Sequence, residues 1–192
     1  MSELADHYYS YSDAVQGLCD YYSAFTEQKA SGAGKAARPQ LLIIDEWAAL
    51  LLSCSDKKTS EHCKAILAEI LMTGRSYRFI PLIGTQKSYA ELFGGGRDNF
   101  LACLALGNLS REAKRMVAGD DAEKLNERNR TGEGYLLLDG HSPERVRVII
   151  KSVDALDRKI IELLRRRKAE QAGGEAKRNP PTVPPAAEGG TS

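Results

Sequence analysis

The stretch Leu41-Leu42-Ile43-Ile44-Asp45-Glu46 decides the fold of this chain. Four consecutive apolar residues are typical of a short strand buried on both faces, as in parallel sheets that helices cover. A second such run, Phe79 to Gly84, follows after a helical segment. That helix is predicted to begin near Trp47, to pause at residues 53–60 and to resume from Glu61. Its buried stripe is expected to consist of Ile66, Leu67, Ile70 and Leu71.

Outside these two runs, strands and helices continue to alternate. Apolar spacing predicts a helix over residues 12–29, with a stripe formed by Val15, Leu18, Cys19, Tyr22 and Phe25. Further strands are predicted at Asn99–Leu106, Tyr135–Leu138 and Val146–Ile150. Ser110 is expected to cap a short helix ending near Gly119, and a last helix is predicted from Val153 to Lys168. This order predicts an α/β fold with a largely parallel sheet, whose sites lie at the C-terminal ends of strands.

Composition narrows the function classes. The chain has 192 residues and a formal net charge of +1 at pH 7, which excludes a protein that coats nucleic acid through bulk charge, so any DNA contact is local. The four cysteines form no CxxC pair, and the neighbours His62 and Cys63 have no second ligand pair for zinc. The scattered cysteines therefore indicate reduced, structural cysteines in a cytoplasmic protein. The polar start does not resemble a signal peptide, and no apolar run is long enough to span a membrane.

The predicted domain covers residues 1–169. Residues 170–192 are rich in Gly, Pro, Ala and Glu, and this composition predicts a disordered tail.

Asp45 and Glu46 stand where phosphate hydrolysis needs carboxylates. An apolar strand that ends in two acids looks like a Walker B element. In that interpretation the first acid holds Mg²⁺, and the second polarises the water that attacks a γ-phosphate. The alternative is a buried strand whose tip has acids only for solvation, and this stretch alone leaves both open.

Two further residues have candidate roles. Gln86 follows the second strand, where an amide can contact both a γ-phosphate and the attacking water; the alternative is a Thr-Gln turn without a role. Arg75, in Gly74-Arg75-Ser76-Tyr77, can reach an oligomer interface as an arginine finger. Its alternative role is to compensate the dipole at the end of a helix.

The order of these elements resembles that in the FtsK, HerA and conjugative coupling-protein ATPases. It consists of an apolar strand with Asp-Glu, a helix, Gly-Arg-Ser-Tyr and an apolar strand with Thr-Gln. Gly132-Glu133-Gly134-Tyr135 is similar to the start of a late strand in that family. The resemblance covers roughly residues 10 to 155 and is nearest to FtsK-like proteins of conjugative elements. It implies part of a RecA-like P-loop NTPase fold, with a largely parallel sheet flanked by helices.

The resemblance also implies roles for the candidate residues. Asp45 would be the metal ligand on the magnesium side and would bind the cofactor together with Gln86, the sensor. Glu46 would be the catalytic base, and Arg75 a finger acting on the next subunit. The implied cofactors are ATP and Mg²⁺, and the implied partners are double-stranded DNA and further subunits.

The chain departs from the family in its phosphate-binding loop. That loop reads G-x-x-x-x-G-K-[ST], whereas Gly32-Ala33-Gly34-Lys35-Ala36 has alanine for the Ser/Thr, has no glycine at position 29 and leads into a strand. We therefore expect the loop to lie upstream, the chain to begin in mid-domain, and the isolated chain to lack ATPase activity. The apolar stretch 101–104 replaces the finger arginine of FtsK, which leaves Arg75, or less favourably Arg97 or Arg111, for that role.

Two functions remain at this stage. The first is a fragment of an ATP-driven DNA translocase that supplies Walker B, sensor and finger elements. The second is a non-catalytic module without a P-loop that binds DNA or an intact ATPase. Lys87 and Arg97 flank a glycine loop and are candidate DNA contacts, although a plain surface loop is the simpler interpretation. Removing an upstream half would uncover apolar surface, so self-association or binding of that half is expected.

Overall fold

The computed structural model describes residues 7–32, 34, 38–86, 89–125, 128–139, 141–149 and 152–178, with residues 11, 167 and 170–178 described by their backbone alone. The chain divides into two units. One unit comprises residues 9–149, and the other comprises residues 1–8 together with 150–192.

The first unit contains four helices and five strands among its described residues. The helices are α1 (Ala14–Ser31), α2 (Trp47–Leu52), α3 (Lys57–Thr73) and α4 (Arg111–Ala118). The strands are β1 (Gln40–Ile44), β2 (Phe79–Ile83), β3 (Ala102–Leu106), β4 (Glu133–Leu138) and β5 (Glu144–Arg147). Short 3-10 helices occupy Tyr11–Asp13, Gly74–Tyr77, Ala90–Phe93, Arg97–Asn99 and Gly119–Lys124.

Two of the helix boundaries are set by side-chain caps. The Asp56 carboxylate accepts a hydrogen bond from the Thr59 backbone N–H, so α3 begins at Lys57, earlier than the predicted Glu61. The Ser110 hydroxyl oxygen accepts one from the Ala113 backbone N–H at the start of α4, as predicted. Gly32, in a left-handed conformation with φ of 69°, ends α1.

The strands form two separate sheets. β1 and β2 are parallel, with Leu41 opposite Ile80 and Ile43 opposite Leu82. β3, β4 and β5 are antiparallel, in the order β3-β4-β5. The α/β class is confirmed, but parallel pairing among the described strands is confined to β1 and β2. The connection between β4 and β5 is only residues 139–143, which is too short for a parallel crossover and imposes an antiparallel hairpin.

The main core lies between α1, α2, α3 and one face of the β1–β2 sheet. Its buried members are Leu18, Phe25, Trp47, Leu50, Leu51, Cys63, Ile66, Leu67, Ile70, Phe79 and Phe93. The predicted stripes of α1 and α3 supply much of this cluster, with Val15, Cys19, Tyr22 and Leu71 partly buried against it.

The opposite face of the β1–β2 sheet is bare. The exposed fractions of its apolar side chains are 57% for Leu41, 65% for Ile43, 49% for Ile80 and 58% for Leu82. The expectation that these strands are buried on both faces is wrong for the described residues, because the helices α1, α2 and α3 pack on one face only. We call this set of four residues the bare face.

The second unit contains one helix, α5 (Val153–Arg178). It is ten residues longer than the predicted helix ending at Lys168, so the segment 170–178, predicted to be disordered, is helical. The rest of the predicted tail, 179–192, lies outside the described residues. Over the described residues, none of the helices combines the length and apolar character that a membrane span requires.

Candidate functional site

The carboxyl ends of β1 and β2 are joined by main-chain hydrogen bonds. The Gly84 backbone N–H donates to the Ile44 carbonyl oxygen at 2.7 Å, and the Trp47 backbone N–H donates to the Gly84 carbonyl oxygen at 2.9 Å. Because β1 and β2 are parallel, the residues that follow them emerge at one edge of the sheet. The acids after β1 and the amide after β2 therefore lie at the same edge.

Glu46 and Gln86 are in direct contact at this edge. The Gln86 backbone N–H lies 3.1 Å from one carboxylate oxygen of Glu46 and 3.3 Å from the other. Glu46 precedes α2 in an extended conformation (φ −138°, ψ 97°), which turns its side chain towards β2 rather than along the helix. The parallel pairing thus brings the two residues together, but the donor is the main chain of Gln86 rather than its side-chain amide.

Gly84 makes this close approach of the strands possible. A Cβ added at Gly84 would collide with the carbonyl oxygen of Asp45 and lie 3.0 Å from the Asp45 carbonyl carbon. Only glycine fits at this position without displacing the backbone that carries the two acids. The apolar pattern of the sequence predicts Gly84 only as the end of a strand, although a glycine at a strand end beside two acids is itself a signal of close approach.

Trp47 connects the acids to the core. Its side chain is fully buried. The indole N–H also donates to the Leu92 carbonyl oxygen at 2.6 Å, a hydrogen bond that the sequence did not indicate. Trp47 thus contacts Gly84, the residue after β2, through its main chain and the 3-10 helix Ala90–Phe93 through its side chain.

Asp45 is exposed and Glu46 is partly exposed, so both carboxylates are accessible from solvent. In the described part of the chain, no group of three or more His, Cys, Asp or Glu residues could hold a metal ion. Mg²⁺ is usually held by one or two carboxylates together with water and substrate phosphates, rather than by an all-protein cage. The donor set at this edge therefore fits Mg²⁺ delivered with a nucleotide.

Arg75 lies at the amino ends of the strands, opposite the end that carries the acids. The Gln40 backbone N–H donates to the Arg78 carbonyl oxygen at 2.8 Å at the amino end of the strands, and the Arg78 N–H donates to the Arg75 carbonyl oxygen at 3.2 Å. Because β2 separates this edge from Gln86, the structure does not bring Arg75 to Glu46. The exposed side chain of Arg75 fits the expected peripheral position, and its role as a finger stays a prediction.

The other basic candidates are only partly described. Lys87 lies outside the described residues. Arg97 is paired with the neighbouring carboxylate of Asp98 at 3.2 Å, which offsets its charge locally. Arg111, the first residue of α4, is exposed.

Comparisons with known proteins agree with this architecture. No protein-family model matches the chain. Over 99 residues it is 26% identical to the FtsK domain-containing protein YdcQ of Bacillus subtilis (strain 168), a match that spans 51% of this chain and 20% of YdcQ. The chain therefore spans about a fifth of the length of the curated relative that it matches.

Two solved structures are similar. TcpA, the pCW3 conjugation coupling protein, solved as a monomer with ATPγS, superposes with a TM-score of 0.58 at 18% identity, over 80% of this chain and 48% of TcpA. The cytoplasmic domain of the type VII secretion ATPase EccC of Thermomonospora curvata gives a TM-score of 0.47 at 19% identity, over 72% of this chain and 17% of that chain. In sequence and fold, the chain resembles part of an FtsK/HerA-type ATPase of the RecA-like class.

Proposed function

We propose that this chain is the C-terminal part of the motor of an FtsK-type, ATP-driven translocase of double-stranded DNA, acting in the cytoplasm in DNA transfer or partitioning. The contact between the Glu46 carboxylate and the Gln86 backbone N–H carries the proposal. In this contact the acid lies beside the main chain of the sensor candidate at the carboxyl edge of a parallel sheet, which is where ligands bind in open α/β folds.

Each residue at this edge has a role in the proposal. Asp45 and the side chain of Gln86 bind the nucleotide, with Asp45 on the metal side. Glu46 orients and deprotonates the attacking water. ATP and Mg²⁺, when bound, supply the phosphoryl group and the charge that stabilises its transfer. Arg75, at the far edge, serves the site of an adjacent subunit in an oligomer.

The bare face supports a partner that completes the fold. Parallel sheets are almost always covered on both faces, because each strand is apolar on both sides. Leu41, Ile43, Ile80 and Leu82 remain exposed, and none of them is polar. The proposed occupant is the P-loop-bearing half of the motor, supplied upstream or by another chain, with self-association of this chain as the substitute when that half is absent.

Pro81 favours a second candidate function, a non-catalytic module. Main-chain groups alternate between the two edges of a strand, and the Arg78 carbonyl and the Gly84 N–H point to β1. The main-chain groups of the odd-numbered residues between them, including Pro81, therefore point away from β1, to the free lateral edge of β2. Because proline has no N–H, that edge lacks its middle donor, a feature of terminal strands rather than central ones. A terminal β2 leaves no place beside it for a P-loop strand.

ATP hydrolysis tests the proposal. The purified chain alone is expected to hydrolyse no ATP, since nothing in its sequence matches the loop that anchors the phosphates. Mixed with, or fused to, a P-loop half of an FtsK-type motor, the chain is expected to show ATPase activity that double-stranded DNA stimulates.

The matched control is Glu46→Gln, which keeps the size and removes the base. It is expected to abolish the activity of the completed motor while leaving assembly intact. Assembly without activity would favour the non-catalytic module, as would the absence of any P-loop reading frame beside the gene. Activity that survives Glu46→Gln would refute the role of Glu46.

A further inference from the structure

Gln86 lies in sequence between Gly84 and Leu92, and the carbonyl oxygens of both of these residues accept hydrogen bonds from Trp47. Before it, the Trp47 backbone N–H donates to the Gly84 carbonyl oxygen at 2.9 Å. After it, the Trp47 indole N–H donates to the Leu92 carbonyl oxygen at 2.6 Å. Between these two points the Gln86 backbone N–H donates to the carboxylate of Glu46, the residue that directly precedes Trp47.

We propose that Trp47 is a positioning residue. Its indole hydrogen bond to Leu92 holds the chain around Gln86 so that the Gln86 backbone N–H meets the Glu46 carboxylate. The inference rests on the proposed function, in which Glu46 and Gln86 are the acting groups. Trp47 touches no substrate in this scheme and acts only through its two neighbours.

The surroundings of Trp47 make it suitable as a fixed point. Its side chain is fully buried in the core cluster with Leu67 and Phe93. Phe93, next to Leu92, packs edge-on against Phe100 with ring centroids 5.4 Å apart. The far end of the segment is therefore attached to rigid core, whereas Gln86 itself is exposed. A loop residue held this way keeps a defined geometry only if both attachments persist.

A purely apolar role for Trp47 is the competing interpretation, and the two differ in one atom. Core packing needs the bicyclic ring, whereas positioning needs the N–H donor. Trp47 is the only tryptophan of the chain, so replacing tryptophan by its benzothiophene analogue changes this position alone. The analogue keeps the ring system and lacks the donor.

Hydrogen exchange of the Gln86 amide, followed by NMR on the full chain, provides the test. The benzothiophene analogue and Trp47→Phe are each expected to speed this exchange about fivefold, the effect of losing one hydrogen bond of about 1 kcal/mol. Core amides of α3 should keep their rates in the analogue. Ile66→Val, which loosens the same core without touching the hydrogen bond, is the matched control and should leave the Gln86 rate unchanged.

Three outcomes separate the possibilities. Faster Gln86 exchange in the analogue, with unchanged exchange in α3, supports positioning by the indole N–H. An unchanged Gln86 rate in the analogue, while Glu46→Ala, which removes the acceptor, speeds it, overturns the inference and leaves the proposed function standing. An unchanged rate in Glu46→Ala as well would mean that the Glu46–Gln86 contact is absent in solution, and the proposed function would lose its support too.

Discussion

Replacing Gly84 with alanine perturbs the point where the two parallel strands meet the acids. The new Cβ would collide with the Asp45 carbonyl oxygen and lie 3.4 Å from the Ile44 carbonyl oxygen. Ordinary contacts between carbon and oxygen are about 3.3 Å or longer, so the ends of the strands must separate by on the order of 1 Å. A displacement of that size weakens the hydrogen bonds of 2.7 Å and 2.9 Å that Gly84 makes with Ile44 and Trp47.

The size of the effect follows from these contacts. Overpacking costs about 1–3 kcal/mol and each weakened hydrogen bond about 1 kcal/mol, while the lower chain entropy of alanine returns somewhat less than 1 kcal/mol. The net loss for Gly84→Ala is about 3 kcal/mol. For a chain of this size, that loss lowers the Tm by about 6–12 °C.

Circular dichroism melts of the purified chain measure this effect. Gly32→Ala is the matched control, because Gly32 has a φ of +69° and a Cβ added there would meet no atom within 4 Å. It carries only the cost of a left-handed alanine, about 1 kcal/mol. If Gly84→Ala melted within 2 °C of the unaltered chain, the close approach of β2 to Asp45 would be refuted, and with it the geometry of the site.

Two other predictions concern the surface of the first unit. Light scattering should show self-association of the isolated chain. The double substitution Ile43→Thr and Leu82→Thr should weaken this association about a hundredfold, since burying these two side chains contributes about 3 kcal/mol. A monomer with a cooperative melt would contradict the bare face as an interface. The hydrogen bond from the Tyr22 hydroxyl, followed by that from Lys29, holds the pKa of the Glu69 carboxyl below its ordinary value. The stability that the ionised Glu69 contributes is therefore present above about pH 4.3 and is lost as the pH falls through the folded pKa. Tyr22→Phe should reduce this loss of the free energy of unfolding, measured by urea titrations at a series of acid pH values. An unchanged pH profile would exclude the contribution of the Tyr22 hydroxyl.

Local signals in the sequence were sufficient to locate the elements around the site. The run from Leu41 to Ile44 and the run from Phe79 to Ile83 are strands because each is short, apolar and followed by polar residues. Their parallel pairing follows from the helix between them, which provides the crossover. The meeting of Glu46 and Gln86 then followed from topology rather than from any contact visible in the sequence.

The remaining features depend on information that local patterns do not contain. Apolar residues at 104 and 136 are equally compatible with parallel and antiparallel pairing, so the β3-β4-β5 arrangement was not predictable from them. The exposure of Ile43 depends on what covers the sheet, not on the strand itself. The helix α5 continues past Lys168 because Ala, Glu, Gln, Lys and Arg are good helix formers, whereas the predicted disorder rested on the average composition of residues 170–192.

The missing donor at Pro81 also matters because, among the described strands, β1 alone pairs with β2. An unpaired edge beside exposed apolar side chains is a template on which further copies add strands and grow into fibres. Growth of this kind needs an uninterrupted row of donors and acceptors along the edge, and Pro81 interrupts that row at its centre. The same residue that makes β2 a poor central strand therefore protects a newly synthesised chain from aggregation until its apolar surface is covered.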